Sequence, residues 1–215
     1  MINCTERLAG LLVTIDGPGG VGKSTALDLV VQKISSMALP ILGTTQPSRT
    51  PLGELIRRGT DTYRGMALGC LVAGDRHHQL ATEIGPALRA GTIVVSDRYL
   101  PSSLVLQRID GLPTTTVWQL NAGAYVPDLA VILNADPDVI NARLRSRGGH
   151  SRFERDPDSS RVESVLYRAA ATELHAHGWP VLGVECTQST PEEISDTVTT
   201  QIMNLRERRS AACPS

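Results

Sequence analysis

A glycine-rich segment near the beginning of the chain carries the residues with the clearest chemical potential. Residues 17–24 read GPGGVGKS, which matches the pattern of two glycines separated by four residues and followed by lysine and serine or threonine. Such glycines let the backbone curl until successive N–H groups point inward at a phosphate, and a following helix adds the partial positive charge of its N-terminus. Lys23 is expected to reach the β- and γ-phosphates of a nucleotide, and the Ser24 hydroxyl to bind Mg²⁺. The segment therefore predicts binding of ATP with Mg²⁺ through Gly17, Gly19, Gly20, Val21, Gly22, Lys23, Ser24 and Thr25.

The second candidate site consists of two adjacent residues, the acidic Asp97 and the basic Arg98. They follow the apolar run at residues 92–95, which places them at the carboxyl end of a predicted strand, where ligands of α/β folds bind. An acceptor phosphate is already ionised at neutral pH and needs no general base, whereas two polyanions that meet need positive charge. Asp97 is therefore a candidate Mg²⁺ ligand and Arg98 a candidate for holding an acceptor phosphate, with a surface ion pair as the alternative.

Further arginines lie on predicted helices and around a polar segment. Arg57 and Arg76 lie on helices, where a single arginine more often belongs to a solvated face. A cluster surrounds residues 148–160, which are rich in glycine, proline and charge: Arg143, Arg145, Arg147, Arg152, Arg155 and Arg161. This segment predicts a short arginine-rich lid that closes over ATP and excludes water, and a solvated charged loop is the alternative.

Composition and charge narrow the classes of function. The formal net charge is −1, so the chain lacks the basic field that holds a nucleic-acid backbone, and any bound anion depends on local donors. The N-terminal residues resemble no signal peptide, and no stretch reaches the ~20 apolar residues of a membrane-spanning helix. The cysteines, Cys4, Cys70, Cys186 and Cys213, form no CxxC pair. We therefore expect a cytoplasmic protein with reduced thiols and without zinc, nucleic-acid or membrane partners.

Short apolar runs alternate with segments of helical spacing along the whole chain. This alternation predicts one α/β domain over residues 1–215, a parallel sheet flanked by helices on both faces. The predicted strands are residues 11–15, 41–42, 92–95, 129–133 and 180–184. The predicted helices are residues 24–36, 52–60, 64–90, 102–108, 114–122, 137–147, 161–177 and 191–208, and residues 148–160 are predicted to form a loop.

Several segments, taken in order and spacing, resemble the thymidylate kinase family of P-loop nucleotide kinases across nearly the whole chain. Residues 93–107, IVVSDRYLPSSLVLQ, are the most specific of them, since they are similar to the family's DRY, SS and Q segment. The other segments that carry the resemblance are residues 15–25, 50–59, 73–78, 127–139, 142–154 and 184–194. Because the order of many segments is matched, the resemblance is far more specific than the glycine segment alone.

The resemblance implies a P-loop three-layer sandwich with a five-stranded parallel sheet, and a homodimer. It also implies phosphoryl transfer from ATP to a pyrimidine nucleoside 5′-monophosphate, with dTMP as the leading candidate. It implies that Arg57 and Arg98 hold the acceptor phosphate, and that Arg76 contacts the base. Ser103 and Gln107 are then expected near Arg76. Arg143 is implied to lie near the adenine, and Arg147 and Arg152 to supply catalytic positive charge from the lid, because the glycine segment contains no arginine.

Three residues depart from the family pattern, all on the acceptor side. Gly19 stands where the family usually has an acidic residue that contacts the sugar, and Val72 where it has a phenylalanine that stacks on thymine. Leu106 stands where the family has a tyrosine near the 2′ position. Loss of an aromatic stack costs on the order of 1 kcal/mol beyond buried area. Tyr99 or Tyr125 could rebuild a stacking wall, and Arg76 alone could also suffice to orient the base.

The departures leave the acceptor open. It is dTMP, another or a modified pyrimidine nucleotide, ribonucleotides included, or a small molecule that is not a nucleotide. Asp16 is a further candidate on the acceptor side, for metal or sugar contacts that Gly19 does not make. A regulatory nucleotide switch that transfers nothing is the alternative of another class. It is disfavoured because residues 134–138, NADPD, lack the lysine of a guanine-reading Asn-Lys-x-Asp segment.

Overall fold

The computed structural model describes residues 8–148, 152–156 and 158–211, and a parallel β-sheet forms its centre. The strands are β1 (Leu11–Asp16), β2 (Ile41–Thr45), β3 (Ile93–Asp97), β4 (Leu129–Asn134) and β5 (Val181–Glu185). They form a five-stranded sheet in the order β2-β3-β1-β4-β5, and each neighbouring pair is parallel. The predicted α/β fold with a five-stranded parallel sheet is thereby confirmed. Strand β2 extends beyond residues 41–42, because Thr44 and Thr45 pair in register with Ser96 and Asp97 of β3.

Helices pack on both faces of this sheet. Those in the described part of the chain are α1 (Lys23–Ser36), α2 (Pro51–Gly59), α3 (Gly65–Gln79), α4 (Gly85–Arg89), α5 (Leu100–Ile109), α6 (Thr114–Leu120), α7 (Pro137–Arg147), α8 (Arg152–Arg155), α9 (Ser159–Ala176) and α10 (Pro191–Ala211). Among these helices, none combines the length and the apolar character that crossing a membrane would require.

Two predicted segments differ from the structure. The helix predicted over residues 64–90 is divided by a π-helical turn at Leu80–Ile84. Pro86, at the beginning of α4, explains the wider turn, because a proline in a regular helix removes one hydrogen bond and its ring clashes with the carbonyl four residues earlier. The loop predicted over residues 148–160 contains the short helix α8, and α9 begins at Ser159. Residues 149–151 and 157 of that predicted lid lie outside the described part of the chain.

Strand β1 shows how the sheet divides the core. All of its residues are buried, and alternate side chains pack into two separate apolar clusters. Val13 and Ile15 belong to the cluster beneath α1 and α10, whereas Leu12 belongs to the cluster beneath α5 and α9. This buried centre fixes the carboxyl ends of β1 and β3 side by side, with Ile15 paired to Asp97. The residues that follow the two strands are consequently brought together.

Candidate active site

The glycine segment forms a loop between β1 and α1, as its sequence predicts. Gly17, Gly20 and Gly22 have positive φ angles of 147°, 79° and 108°, which L-residues with side chains rarely adopt. Gly22 is the N-cap of α1 and supplies no side chain that would cap the first turn. The N–H groups of this turn therefore remain available to a phosphate, beside the positive end of the helix.

Lys23 lies buried at the beginning of α1, with 6% of its surface exposed. Its Nζ donates to the carbonyl oxygen of Pro18 at 2.7 Å, so the side chain folds back over the loop. Burial lowers the pKa of Lys23 to about 8; the charge of Arg98 acts in the same direction, and that of Asp97 opposes it. A bound polyphosphate would favour the charged form, which is the state that a phosphate-binding lysine needs.

Ser24 and Asp97, the two predicted metal ligands, are in direct contact. The Ser24 hydroxyl donates to Asp97 Oδ2 at 2.5 Å. The other carboxylate oxygen, Oδ1, is buried and accepts no hydrogen bond from the described residues. A hydroxyl beside a carboxylate with a spare oxygen is a donor set that suits Mg²⁺, which is commonly held by one or two such groups together with phosphates and water.

Asp16 is fully buried, and its hydrogen bonds hold the beginning of α5. Its Oδ1 accepts from the backbone N–H of Tyr99 at 2.9 Å, from the N–H of Ser102 at 3.0 Å and from the Ser102 hydroxyl at 2.6 Å. Burial raises the pKa of this carboxyl, and the bond from the Ser102 hydroxyl opposes the shift. Asp16 thus holds the backbone that follows Asp97 in place, and its predicted contacts with metal or sugar stay a prediction.

Arg98 leaves the sheet in an unusual backbone conformation. Its φ is 73°, in the left-handed region, which costs a non-glycine residue on the order of 1 kcal/mol and is found at functional sites. The guanidinium lies 3.4 Å from both the Ser102 hydroxyl and the Tyr167 hydroxyl, and these two hydroxyls are 3.0 Å apart. The long contacts hold the guanidinium in place and leave it capacity for a stronger anionic partner.

A cavity of about 390 Å³ opens beside the loop, within the size range of small-molecule sites. All but two of the predicted acceptor residues line it, the exceptions being Asp16 and Asp97. Its lining consists of Thr45, Gln46, Pro47, Ile56, Arg57, Thr60, Leu68, Val72, Arg76, Arg98, Tyr99, Ser102, Ser103, Leu106, Gln107, Phe153 and Glu154. Sequence positions from β2 to α8 are thus brought to one cavity.

Arg76 is the most deeply buried charged group of this cavity, with 2% exposure. Its Nε donates to Gln46 Oε1 at 2.8 Å, one terminal nitrogen donates to Asn121 Oδ1, and the other donates to the Ser103 hydroxyl at 2.7 Å. The guanidinium carbon lies 5.2 Å from the centre of the Tyr99 ring. Burial lowers the pKa of Arg76. Neutral partners therefore orient a cation that remains able to recognise an electron-rich group of a ligand.

The orientation of Arg76 depends on a chain of amides that the sequence analysis missed. Gln46 Nε2 donates to Gln79 Oε1 at 3.0 Å, and Gln79 Nε2 donates to Glu83 Oε2 at 3.0 Å and to the Thr44 hydroxyl at 2.8 Å. The Glu83 carboxylate only accepts, so each amide has one defined orientation and presents an oxygen to the next residue. Gln46 lies 33 residues before Gln79, so no local sequence pattern links it to Gln79 and Glu83.

Arg57 lies where the acceptor cavity adjoins a second cavity lined by Ser24 and Asp97. Its guanidinium donates to the carbonyl oxygen of Ser48 at 2.5 Å, to that of Pro47, and to Glu54 Oε1 at 3.1 Å. Arg57 therefore lies at the border between the cavity lined by Ser24 and Asp97 and the cavity lined by the predicted acceptor residues.

The described residues of the predicted lid include Phe153 and Glu154, which line the acceptor cavity. Arg152 Nε donates to the carbonyl oxygen of Thr60 at 2.5 Å, and one of its terminal nitrogens pairs with Asp110 Oδ1 at 2.6 Å. Its guanidinium carbon also lies 4.2 Å from the centre of the Phe153 ring. Arg152 thus contacts Thr60, which lines the acceptor cavity, and Asp110, and its implied supply of catalytic positive charge from the lid stays a prediction.

Arg143 and Arg147, on α7, were the other arginines predicted to serve ATP. Arg143 lies near the carbonyl oxygens of Val21 and Cys186, at 3.3 and 3.4 Å, next to the glycine loop. The side chain of Arg147 lies outside the described part of the structure.

Glu163 and Tyr167 of α9 contact the site and were not predicted. Glu163 Oε2 accepts from the backbone N–H of Gly19 at 3.0 Å, and only 2% of the residue is exposed. Burial raises the pKa of Glu163, and the charge of Arg98 opposes the shift. Both residues lie on a long amphipathic helix whose sequence offers no reason to single them out.

Comparison with known proteins finds matches to one family. The family model described as thymidylate kinase matches residues 15–177. A probable thymidylate kinase of Pyrobaculum aerophilum is 33% identical over 191 residues, which are 86% of this chain and 93% of the relative. A probable thymidylate kinase of Caldivirga maquilingensis is 32% identical over 176 residues, 80% of this chain and 84% of the relative. The thymidylate kinase of Leifsonia xyli subsp. xyli is 36% identical over 175 residues, with 75% and 82% covered.

Proposed function

Since the chain belongs to the thymidylate kinase family and is an ATP-dependent nucleoside-monophosphate kinase, we propose that it converts dTMP to dTDP in a transfer that requires Mg²⁺. One observation carries the proposal: the cavity lined by Arg57, Arg76 and Arg98 is also lined by Glu154, whose side chain lies against Gly19 of the loop that contains Lys23. A donor phosphate held by the loop and an acceptor phosphate held by the arginines would meet at that junction.

For this reaction the protein has to compensate the negative charge of the phosphates and align the donor with the acceptor. The acceptor phosphate is ionised at neutral pH, so no residue has to remove a proton from it. Lys23 and Arg98 would spread the charge of the moving phosphoryl group, and Arg57 would hold the acceptor phosphate. Ser24 and Asp97 would hold Mg²⁺, which supplies further charge neutralisation when bound.

The walls of the cavity favour a pyrimidine held by apolar contact and by Arg76. Val72 and Leu106 line the cavity without any hydrogen-bonding group. Tyr99 is fully buried behind Arg76, and its hydroxyl donates to the carbonyl oxygen of Tyr125 at 3.0 Å, so its ring has no free face for a base. Because Leu106 offers no polar group to sense the 2′ position, a ribonucleotide or a modified pyrimidine nucleotide is the second candidate acceptor.

The experiment is ADP release from ATP with Mg²⁺ against dTMP, dUMP, UMP, dCMP, CMP, AMP and GMP, with nucleosides as controls. We expect the highest kcat/KM with dTMP and no ADP release with the nucleosides. A higher value with another monophosphate would assign that acceptor instead. ADP release that is independent of any acceptor would overturn the kinase proposal in favour of a nucleotide switch.

The homodimer, which rests on the family resemblance, and the cytoplasmic location are proposals as well. Sedimentation of the purified protein is expected to give a dimer, and a monomer at micromolar concentration would contradict it.

A further inference from the structure

Gly19 is the one glycine of the loop whose backbone does not call for glycine. Gly17, Gly20 and Gly22 have positive φ angles, whereas Gly19 lies outside that left-handed region. Its N–H donates to Glu163, a bond that residues with side chains can make equally well. The reason for a glycine here has to be sought in the space around it.

Glu154 of α8 occupies the space that a side chain at residue 19 would need. A Cβ at that position would lie 2.6 Å from Glu154 Oε1, 2.7 Å from its Cγ and 3.0 Å from its Cδ. Real Cβ atoms do not approach other atoms so closely. The carboxylate thus reaches the loop from the lid, and it can do so because Gly19 has no side chain.

The same carboxylate lines the acceptor cavity. A carboxylate only accepts hydrogen bonds and repels phosphate, so its natural partner in the cavity is a neutral donor on the acceptor. With the phosphate at Arg57 and Arg98 and the base at Arg76, the remaining donors of a nucleoside monophosphate are its sugar hydroxyls. A 2′-deoxynucleotide has one such group, at the 3′ position.

We propose that Glu154 accepts a hydrogen bond from the sugar hydroxyl of the acceptor nucleotide, and that Gly19 is glycine to admit this carboxylate from the lid. The inference rests on the proposed function and adds a residue that determines specificity. It makes sugar recognition dependent on the position of α8, which Arg152 holds over the cavity through Thr60 and Asp110.

The experiment compares dTMP with dTMP that lacks the 3′-hydroxyl, in the wild type, Glu154→Ala, Gly19→Ala and the double variant. A hydrogen bond to a charged group corresponds to about 10- to 100-fold in kcat/KM. We expect the wild type to prefer dTMP by this factor, and each single variant to lose most of the preference. Gly19→Ala should act by displacing Glu154, because the displaced atoms are the end of a flexible side chain.

The double variant gives the sharpest result. If the two residues act through one carboxylate, the double variant is no worse with dTMP than either single variant. Asp156→Asn is the matched control: it also removes one lid charge, it lies exposed, and asparagine keeps the acceptor for the N–H of Asp158. It should retain the preference, and thermal unfolding should verify that all variants fold.

Three outcomes would overturn the inference while the proposed function stands. They are equal use of dTMP and its 3′-deoxy form by the wild type, additive losses in the double variant, and loss of the preference in Asp156→Asn. A wild type that transfers phosphate to no nucleoside monophosphate would overturn the proposed function, and this inference with it.

Discussion

The two sides of the active site are built in different ways. The proposed donor side comes from one contiguous stretch, residues 17–25, where backbone N–H groups fixed by a strand, a turn and a helix would bind the phosphates. The acceptor side is assembled from side chains of β2, α2, α3, α5 and α8. A contiguous site keeps its geometry through local backbone structure, whereas an assembled site depends on every element that contributes to it.

The difference extends to how each cation is held. Lys23 folds back onto a carbonyl of its own loop, five residues earlier in the chain. Arg76 is oriented by Gln46, Asn121 and Ser103, which are 27 to 45 residues away in sequence. We therefore expect substitutions on the donor side to affect every acceptor alike, and substitutions on the acceptor side to change selectivity.

The largest effect is expected for Lys23→Ala, which would break the donor side. Removal of a charged donor from the transferring phosphates should lower kcat by at least about 10²- to 10³-fold with every acceptor. ADP release against the full acceptor panel measures it. Retained turnover with any monophosphate would contradict the role of the loop.

The chain supplies a matched control in Lys33, its only other lysine. Lys33 pairs with Asp196 at 2.6 Å, on a face formed by α1 and α10. Lys33→Ala should leave kcat unchanged and reduce stability by less than about 1 kcal/mol, as partly exposed ion pairs do.

Arg98→Ala should affect the acceptor side more than the donor side. We expect the KM for dTMP to rise by about 10- to 100-fold, because a charge-assisted contact to the acceptor phosphate is lost, with a much smaller change in the KM for ATP. Arg98→Lys keeps the charge and loses the two-pronged geometry, so it should fall between alanine and the wild type. Equal increases in both KM values would remove Arg98 from the acceptor site.

The contrast between the two sides also explains what the sequence could predict. The glycine loop, the strands and the pair Asp97 and Arg98 follow from patterns within a few residues, and the structure places Ser24 in contact with Asp97 as expected. Because ligands of parallel sheets bind at the carboxyl ends of the strands, these residues could be predicted to lie close together.

The residues that were missed share one property, which is that their partners are distant in sequence. Gln46 and Gln79 are 33 residues apart, and Glu163 meets Gly19 across 144 residues. Gln46 after a strand, and Gln79 and Glu163 on helices, look like solvated residues until the fold buries them. The sequence predicted a loop where the structure has helix α8, because its four charged and aromatic residues form no local helical pattern. Two of them, Phe153 and Glu154, line the cavity.

The pH dependence of ATP binding tests the donor side without a substitution, and its expected effect is smaller. Burial lowers the pKa of Lys23 to about 8 in the free protein, and bound phosphates favour the charged form. Below pH 8 the lysine is already protonated, whereas above pH 8 binding must take up a proton, so affinity should fall as pH rises. Between pH 7 and pH 9 the expected loss is about tenfold.

Calorimetry in two buffers of different ionisation enthalpy would measure the proton uptake directly. Lys23→Arg, charged throughout this range, is the control and should bind ATP without the dependence. A pH-independent affinity in the wild type would show that Lys23 is charged in the free protein.

The smallest expected effect concerns the contact that holds the lid on the acceptor side. Arg152 pairs with Asp110 at 2.6 Å, and both side chains are largely buried, at 17% and 6% exposure. If this pair holds α8 over the cavity, Arg152→Ala and Asp110→Asn should each raise the KM for dTMP several-fold and leave the KM for ATP unchanged. Asparagine keeps an oxygen for the N–H of Gly65, so the second variant removes the charge and little else. The double variant should resemble the single variants, with a coupling of about 1 kcal/mol.

If Arg152 instead supplies charge to ATP, Arg152→Ala would lower kcat by about 10²-fold or more while Asp110→Asn left it unchanged. The comparison of these two variants therefore decides which side of the active site the lid arginine serves.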